Sequence, residues 1–127
     1  MQHLTPRLNA GEYVLVTVDE CSDVLRRSEV LGTFREAEGV TVMVERTVAD
    51  ALNISYDYVA SWITLEVRSS LSAVGLTAAF STALAKHDIS CNVVAGYHHD
   101  HLFVDTSKAK QAVEVLKALS ERDSASN

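Results

Sequence analysis

From Trp62 onward the chain alternates, with Ile63, Leu65 and Val67 apolar and Thr64, Glu66 and Arg68 polar. A period of two predicts a strand with one buried face, and Trp62 at its start reads as a core or interface anchor. After a loop from Ser69 to Gly75, the residues Leu76, Phe80, Ala83, Leu84 and His87 recur at helical spacing, which predicts a helix packed along one side. A second alternation follows, with Cys91, Val93 and Ala95 expected on a core face and Asn92 and Val94 on the other. The segment Gly96 to Asp100 turns the chain, and Leu102 and Val104 mark a returning strand. Thr106 or Ser107 is then placed to cap a second helix, whose stripe is Ala109, Ala112, Val113, Leu116 and Leu119.

The first half reads as shorter elements. Leu4 to Leu8 fits a brief edge strand, since Pro6 lacks the donor that a central strand needs. Turn residues Asn9, Ala10 and Gly11 precede a strand from Tyr13 to Val18, with Val14, Val16 and Val18 on one face. The polar stretch Asp19 to Val30 has room for one helical turn around Asp23 to Arg27. Thr33 to Glu36 and Val40 to Glu45 alternate on either side of Ala37-Glu38-Gly39, a hairpin in which Gly39 takes the positive φ of a tight turn. Thr47 to Leu52 fits a short helix, and Asn53 to Ser61 a connection into the central strand.

Strand, helix, strand, strand, helix is the ferredoxin-like βαββαβ plait without its last strand: an α/β sandwich of the α+β kind, an antiparallel sheet with helices on one face. A sheet edge left open invites pairing, and the first half offers spare strands. The division expected is 1–60 as a degenerate N-terminal half, 61–120 as the complete domain and 121–127 as a disordered tail, because RDSASN has little to pack. With no Gly/Ser/Pro-rich linker, the halves are expected to pack as one unit.

Composition narrows the function. A hydrophobic fraction of 47% in 127 residues points to apolar surface covered by another subunit, so a homodimer is expected. A net charge of -6 and the lack of any basic cluster argue against nucleic acid, whose binders draw affinity from grouped Lys and Arg. Stacking aromatics of the RNA-binding plait are missing as well. Cys21 and Cys91 form no C-x-x-C pair, and Cys91 reads as a buried thiol. No signal segment or membrane-length apolar run occurs, which suggests a reducing, cytoplasmic setting and no membrane partner. Nucleotide-cradling glycine motifs and nucleophile elbows are absent, so no cofactor and no enzyme activity are expected.

The runs Ala60 to Val67, Arg68 to Leu71, Ala73 to Thr77, Ile89 to Ala95 and Asp100 to Val104 resemble the ACT domains of the aspartokinase and CASTOR type. The Tyr13 strand and the Phe34 to Thr41 hairpin resemble the degenerate ACT-like half that precedes this domain in small bacterial members. The resemblance covers roughly Leu4 to Leu119. It implies tandem ACT-like halves in a non-catalytic regulatory module that binds an amino acid or similar zwitterionic effector at an interface between ACT units. The first half departs from the pattern in having no clear first helix.

The candidate chemistry lies in three places. The loop Ser69 to Leu76 leads into a helix, whose free amide groups at the positive end of its dipole suit a carboxylate. By pattern alone a plain helix cap, with the serines satisfying the backbone, is the preferred reading, and the resemblance reverses that preference. The resemblance makes Ser69, Ser70, Leu71, Val74, Gly75 and Leu76 a ligand grip, with Gly75 allowing close backbone approach. It also places ligand contacts on Cys91, Asn92 and Val93, although the Asn92 amide also suits a hydrogen bond across a dimer seam. In the turn, the resemblance makes Asp100 an acceptor for a cationic or amino group on the effector, with Tyr97 packing against it. His99 and His101 share a face of an extended chain but fall short of the roughly three or four ligands of a metal site. The remaining alternative classes are a structural module that partners a larger enzyme or regulator without a ligand, and a metal-dependent enzyme.

Overall fold

The computed structural model describes residues 4–67 and 75–125. In chain order the elements are β1 (Leu4–Leu8), β2 (Tyr13–Val18), a 3-10 turn (Asp23–Arg26), β3 (Val30–Glu36), β4 (Gly39–Glu45), α1 (Arg46–Ala51) and β5 (Val59–Val67). They continue with α2 (Leu76–Lys86), β6 (Cys91–Ala95), β7 (Asp100–Asp105), a second 3-10 turn (Thr106–Lys108) and α3 (Ala109–Ala125). Tertiary contacts divide the chain into two compact units, Met1–Ala10 with Ser61–Asn127, and Gly11–Ala60. Each has its own core cluster.

In the larger unit the strand order is β1-β5-β7-β6. The open edge found in the sequence is therefore filled by the first strand of the chain. β1 runs antiparallel to β5, with Leu4 opposite Val67, Pro6 opposite Leu65 and Leu8 opposite Ile63. Ile63 and Leu65 of β5, Leu102 and Val104 of β7, and Leu4 of β1 point to one face of this sheet, where α2 contributes Leu76, Phe80 and Leu84 and α3 contributes Ala109, Ala112 and Leu116. Those side chains are all buried, matching the helical and alternating stripes read from sequence. The exception on α2 is His87, expected in the stripe but exposed at the C-cap. Here Asp88 adopts φ 59° so that its own amide reaches the Ala85 carbonyl at 2.9 Å and the Ile89 amide reaches Leu84 at 3.0 Å. That is the Schellman ending, and it carries Ile89 into the core.

Two helix boundaries differ from the sequence reading. Asp105 is the residue that caps: its carboxylate accepts from the Ser107 amide at 2.8 Å and the Ser107 hydroxyl at 2.7 Å. A carboxylate is a stronger acceptor than the hydroxyls of Thr106 or Ser107, and its pKa is lowered by those Ser107 hydrogen bonds. α3 also carries helical backbone to Ala125, through residues expected as tail.

The smaller unit has the order β3-β4-β2, with Val59 and Ala60 at the start of β5 beside Val14 and Tyr13 of β2. β5 thus begins three residues before Trp62. The β3–β4 hairpin closes on Ala37-Glu38 with Gly39 at φ 153°. Val14, Val16, Val40, Val42 and Val44 form the buried face, covered by Ala49 of α1 with Val48, Ile54 and Tyr56 around it. Between β2 and β3 stands one 3-10 turn, Asp23–Arg26, capped by the Ser22 hydroxyl accepting from the Val24 amide at 3.2 Å. Among the described residues no helix is long and apolar enough to cross a membrane.

Candidate functional site

The ends of the larger unit follow from its strand directions. Ser61 Oγ meets Thr106 Oγ1 at 3.2 Å, while Trp62 and Thr64 meet His101, so β7 descends against an ascending β5. The turn 96–99 therefore lies beside the Val67 end of β5, the end from which the chain goes on to Gly75 and α2. Gly75 has φ 86°, a conformation costly for residues with a Cβ, and it stands directly ahead of the first helical amides. A Cβ added to Gly75 would meet nothing within 4 Å. Glycine is needed there for its backbone angle.

The residues expected to form one site are only partly brought together. Ser69, Ser70, Leu71 and Val74 lie outside the described residues. Leu76 turns into the core beside Phe80. Tyr97 is 98% exposed at the turn. In β6, Asn92 pairs with Phe103 and Ala95 with Asp100. Because cross-strand partners share a face, Asn92 stands on the face away from the helices, whereas Asp100 has the parity of Leu102 and Val104 on the helix side. Three residues of strand, about 10 Å, also separate the Asn92 and Asp100 positions along the sheet. They do not converge on one point within a single chain.

β6 departs from its expected pattern too. Cys91 is half-buried against the core, where burial pushes its thiol pKa up, but Val93 is 37% and Val94 39% exposed and Ala95 is exposed. Local alternation cannot reveal this, because β6 ends the strand order and α2 and α3 cover the sheet nearer its centre.

On the face away from the helices lies a polar and aromatic cluster that includes Thr64, a residue alternation places on the polar side of β5, and Trp62. Thr64 is only 3% exposed. Its Oγ1 accepts from Asn9 Nδ2 at 2.9 Å and lies 3.3 Å from His101 Nδ1. Trp62 Nε1–H donates to the same Nδ1 at 3.0 Å, and its ring stacks on Phe103 with centroids 6.4 Å apart. Asn9 is fixed in turn, since its amide donates to the Trp62 carbonyl at 2.9 Å. A Thr inside an apolar strand paired with a downstream His is the signal present in the sequence, although only the register reveals the partner. His101 thus spends Nδ1 inside the sheet, and among the described residues no three His, Cys, Asp or Glu side chains gather closely enough for a metal.

The described surface includes two sizeable hollows. One of about 410 Å³ lies between α2 and α3, lined by Ala79, Ala83, Lys86, Val115 and Leu119 among others. The other, about 470 Å³, is in the smaller unit beside Leu15, Thr17, Thr41, Tyr56 and Asp57. Neither includes Gly75, Asn92 or Asp100.

An antiparallel sheet in the order 4-1-3-2 of a plait, with helices on one face, defines a ferredoxin-like α+β protein. Two ACT-domain family models match the chain, one over residues 1–61 and one over 58–118. The chain belongs to the ACT domain family. It is similar to a protein of unknown function from Vibrio cholerae described as a possible transport protein, with 45% identity over 92% of this chain and 90% of that one, and a TM-score of 0.86. It shares its fold with the C-terminal regulatory domain of an aspartate kinase from Porphyromonas gingivalis, at 13% identity, 93% and 96% coverage and a TM-score of 0.57. The Clostridium acetobutylicum aspartate kinase matches at 10% identity and a TM-score of 0.58 over 91% of this chain and 34% of that enzyme. No curated protein matches.

Proposed function

We propose that this protein is a non-catalytic regulatory ACT module of the cytoplasm that binds an amino acid or similar small zwitterion where ACT units of two copies meet. The observation that carries the reading is the pair of ACT matches spanning residues 1–118. Gly75 supports it: as the N-cap of α2 it places no side chain over the first helical amides, and among the described residues nothing lies within 4 Å of where its Cβ would be, which suits a carboxylate supplied from outside the chain. The divergence of Asn92 and Asp100 supports a site completed by a second copy, each chain offering one of the two. Binding then acts by linkage, favouring the assembled arrangement that a regulated partner reads.

A thermal-melt screen against the standard amino acids tests this. An effector at about 100 times its dissociation constant adds about 2.7 kcal/mol of stability, a shift of several degrees. No shift from any amino acid would leave the second reading, a ligand-free interaction module. That reading is favoured by the exposed Val93, Val94 and Tyr97 on and beside the last strand of the larger unit.

The effector-binding reading requires self-association, and β6 is the proposed seam. Its sequence CNVVA carries no charge, so pairing with itself sets no like charges opposite one another. Val94→Lys is expected to weaken the dimer at least about tenfold, roughly 1.4 kcal/mol, with unchanged circular dichroism. Light scattering on the eluting protein reads the result; a wild-type monomer at working concentration removes the seam.

A further inference from the structure

The Trp62–His101–Thr64 contact fixes a protonation state by geometry. An indole nitrogen is a donor only, so the His101 Nδ1 that it meets at 3.0 Å must present a lone pair. Thr64, whose oxygen already accepts from Asn9, has its own proton free for the same nitrogen. The ring is therefore neutral, with its hydrogen on Nε2. That side of the ring lies against the turn: a Cβ built on Gly96 would stand 3.2 Å from His101 Nε2 and Cδ2 and 2.8 Å from the His99 carbonyl oxygen. The absence of a side chain at Gly96 is what lets backbone and imidazole pack this closely. The Gly96 amide in turn donates to the His99 carbonyl at 2.9 Å, closing the turn over the ring.

We infer that His101 is an acid-sensitive latch: a proton taken up at Nδ1 breaks the Trp62–His101 hydrogen bond and frees the turn 96–99 that rests on the ring. A protonated Nδ1 points its N–H at the indole N–H. Thr64 can rotate its hydroxyl to accept, but Trp62 has no acceptor on that nitrogen, so its bond is lost in every rotamer.

Among the described residues the charged surroundings are few. From the turn and β7 come His99, its ring 6.5 Å away, and Asp100; Asp105, further along β7, is engaged in capping. From β5 the same face presents Glu66, which pairs with Arg7 of β1 at 3.1 Å. β6 places Asn92 and Val94 there, neither of which titrates. Burial, then His99, lowers the His101 pKa below its ordinary 6.5, and Asp100 opposes them in part. With the folded value below the unfolded one, the latch is closed above pH 6.5 and opens as pH falls through the folded value. The unfolded chain binds the extra proton more readily in that window, so stability falls with it.

Trp62 is the one tryptophan of the sequence, so its fluorescence reports this contact directly. Titrating the full chain from pH 8 to 5 is expected to give a one-proton transition with its midpoint below 6.5. His99→Gln should move that midpoint up and His101→Gln should abolish the transition. Long-range nitrogen NMR on the wild type should find the neutral ring protonated at Nε2, a result that does not depend on any variant folding. A transition that survives His101→Gln, a midpoint at or above 6.5, a flat titration, or a ring protonated at Nδ1 at neutral pH would each overturn the latch.

Discussion

A chain lacking residues 1–8 is expected to lose the cooperative fold of its larger unit. β1 pairs with β5 from Leu4 to Leu8, and β5 is the strand through which Ile63 and Leu65 hold the core. Deletion removes the buried Leu4 side chain, about 1.5–3 kcal/mol by itself. It also removes the hydrogen bond that the Leu4 amide donates to the buried Ser120 hydroxyl at 3.1 Å, a net contribution of about 0.5–1.5 kcal/mol. Adding the lost ladder bonds gives a cost on the order of 5 kcal/mol, against a usual total of about 5–15. The exposed β5 edge would then template aggregation. Urea unfolding followed by circular dichroism, with light scattering, measures both effects; a truncated chain that unfolds within about 1 kcal/mol of the full one contradicts the pairing.

The second large effect is expected at Phe80. Its ring is fully buried where α2 meets β5, β7 and α3, and no polar group offsets its removal. Phe80→Ala should cost about 3–5 kcal/mol, from lost transfer energy and from the cavity left among Ile63, Leu84 and Leu116. At a rough 4–8 °C per kcal/mol for a unit of this size, the melting temperature falls by more than about 12 °C. The spread reflects how far neighbours collapse into the void. A fall of only a few degrees would mean that Phe80 is less tightly enclosed than its contacts indicate.

These two sites also mark how far the sequence could be read. Phe80 was legible, because Leu76, Phe80 and Leu84 recur at a helical interval that local geometry turns into a shared face. So were β2, the β3–β4 hairpin and α3, for the same reason. The strand missing from the plait was legible as an absence, but its replacement by Leu4–Leu8 was not, since any spare strand of the first half satisfies the edge equally. The candidate site was less legible. Asn92 and Asp100 look adjacent through a short turn, yet register and parity set them on opposite faces.

What the sequence by itself determined is therefore everything that repeats within a few residues: which positions share a face, where helices and turns fall, and that the second half is a plait one strand short. Only the tertiary structure decided which strand closes the sheet, which faces are covered, and that Thr64 and His101 meet beneath Trp62 while β6 stays bare. The reason is one of range. Backbone sterics fix a two- or 3.6-residue period locally, whereas burial and pairing depend on segments some 40 to 60 positions away, as with Trp62 and His101 or Leu4 and Val67, whose contact no local period encodes.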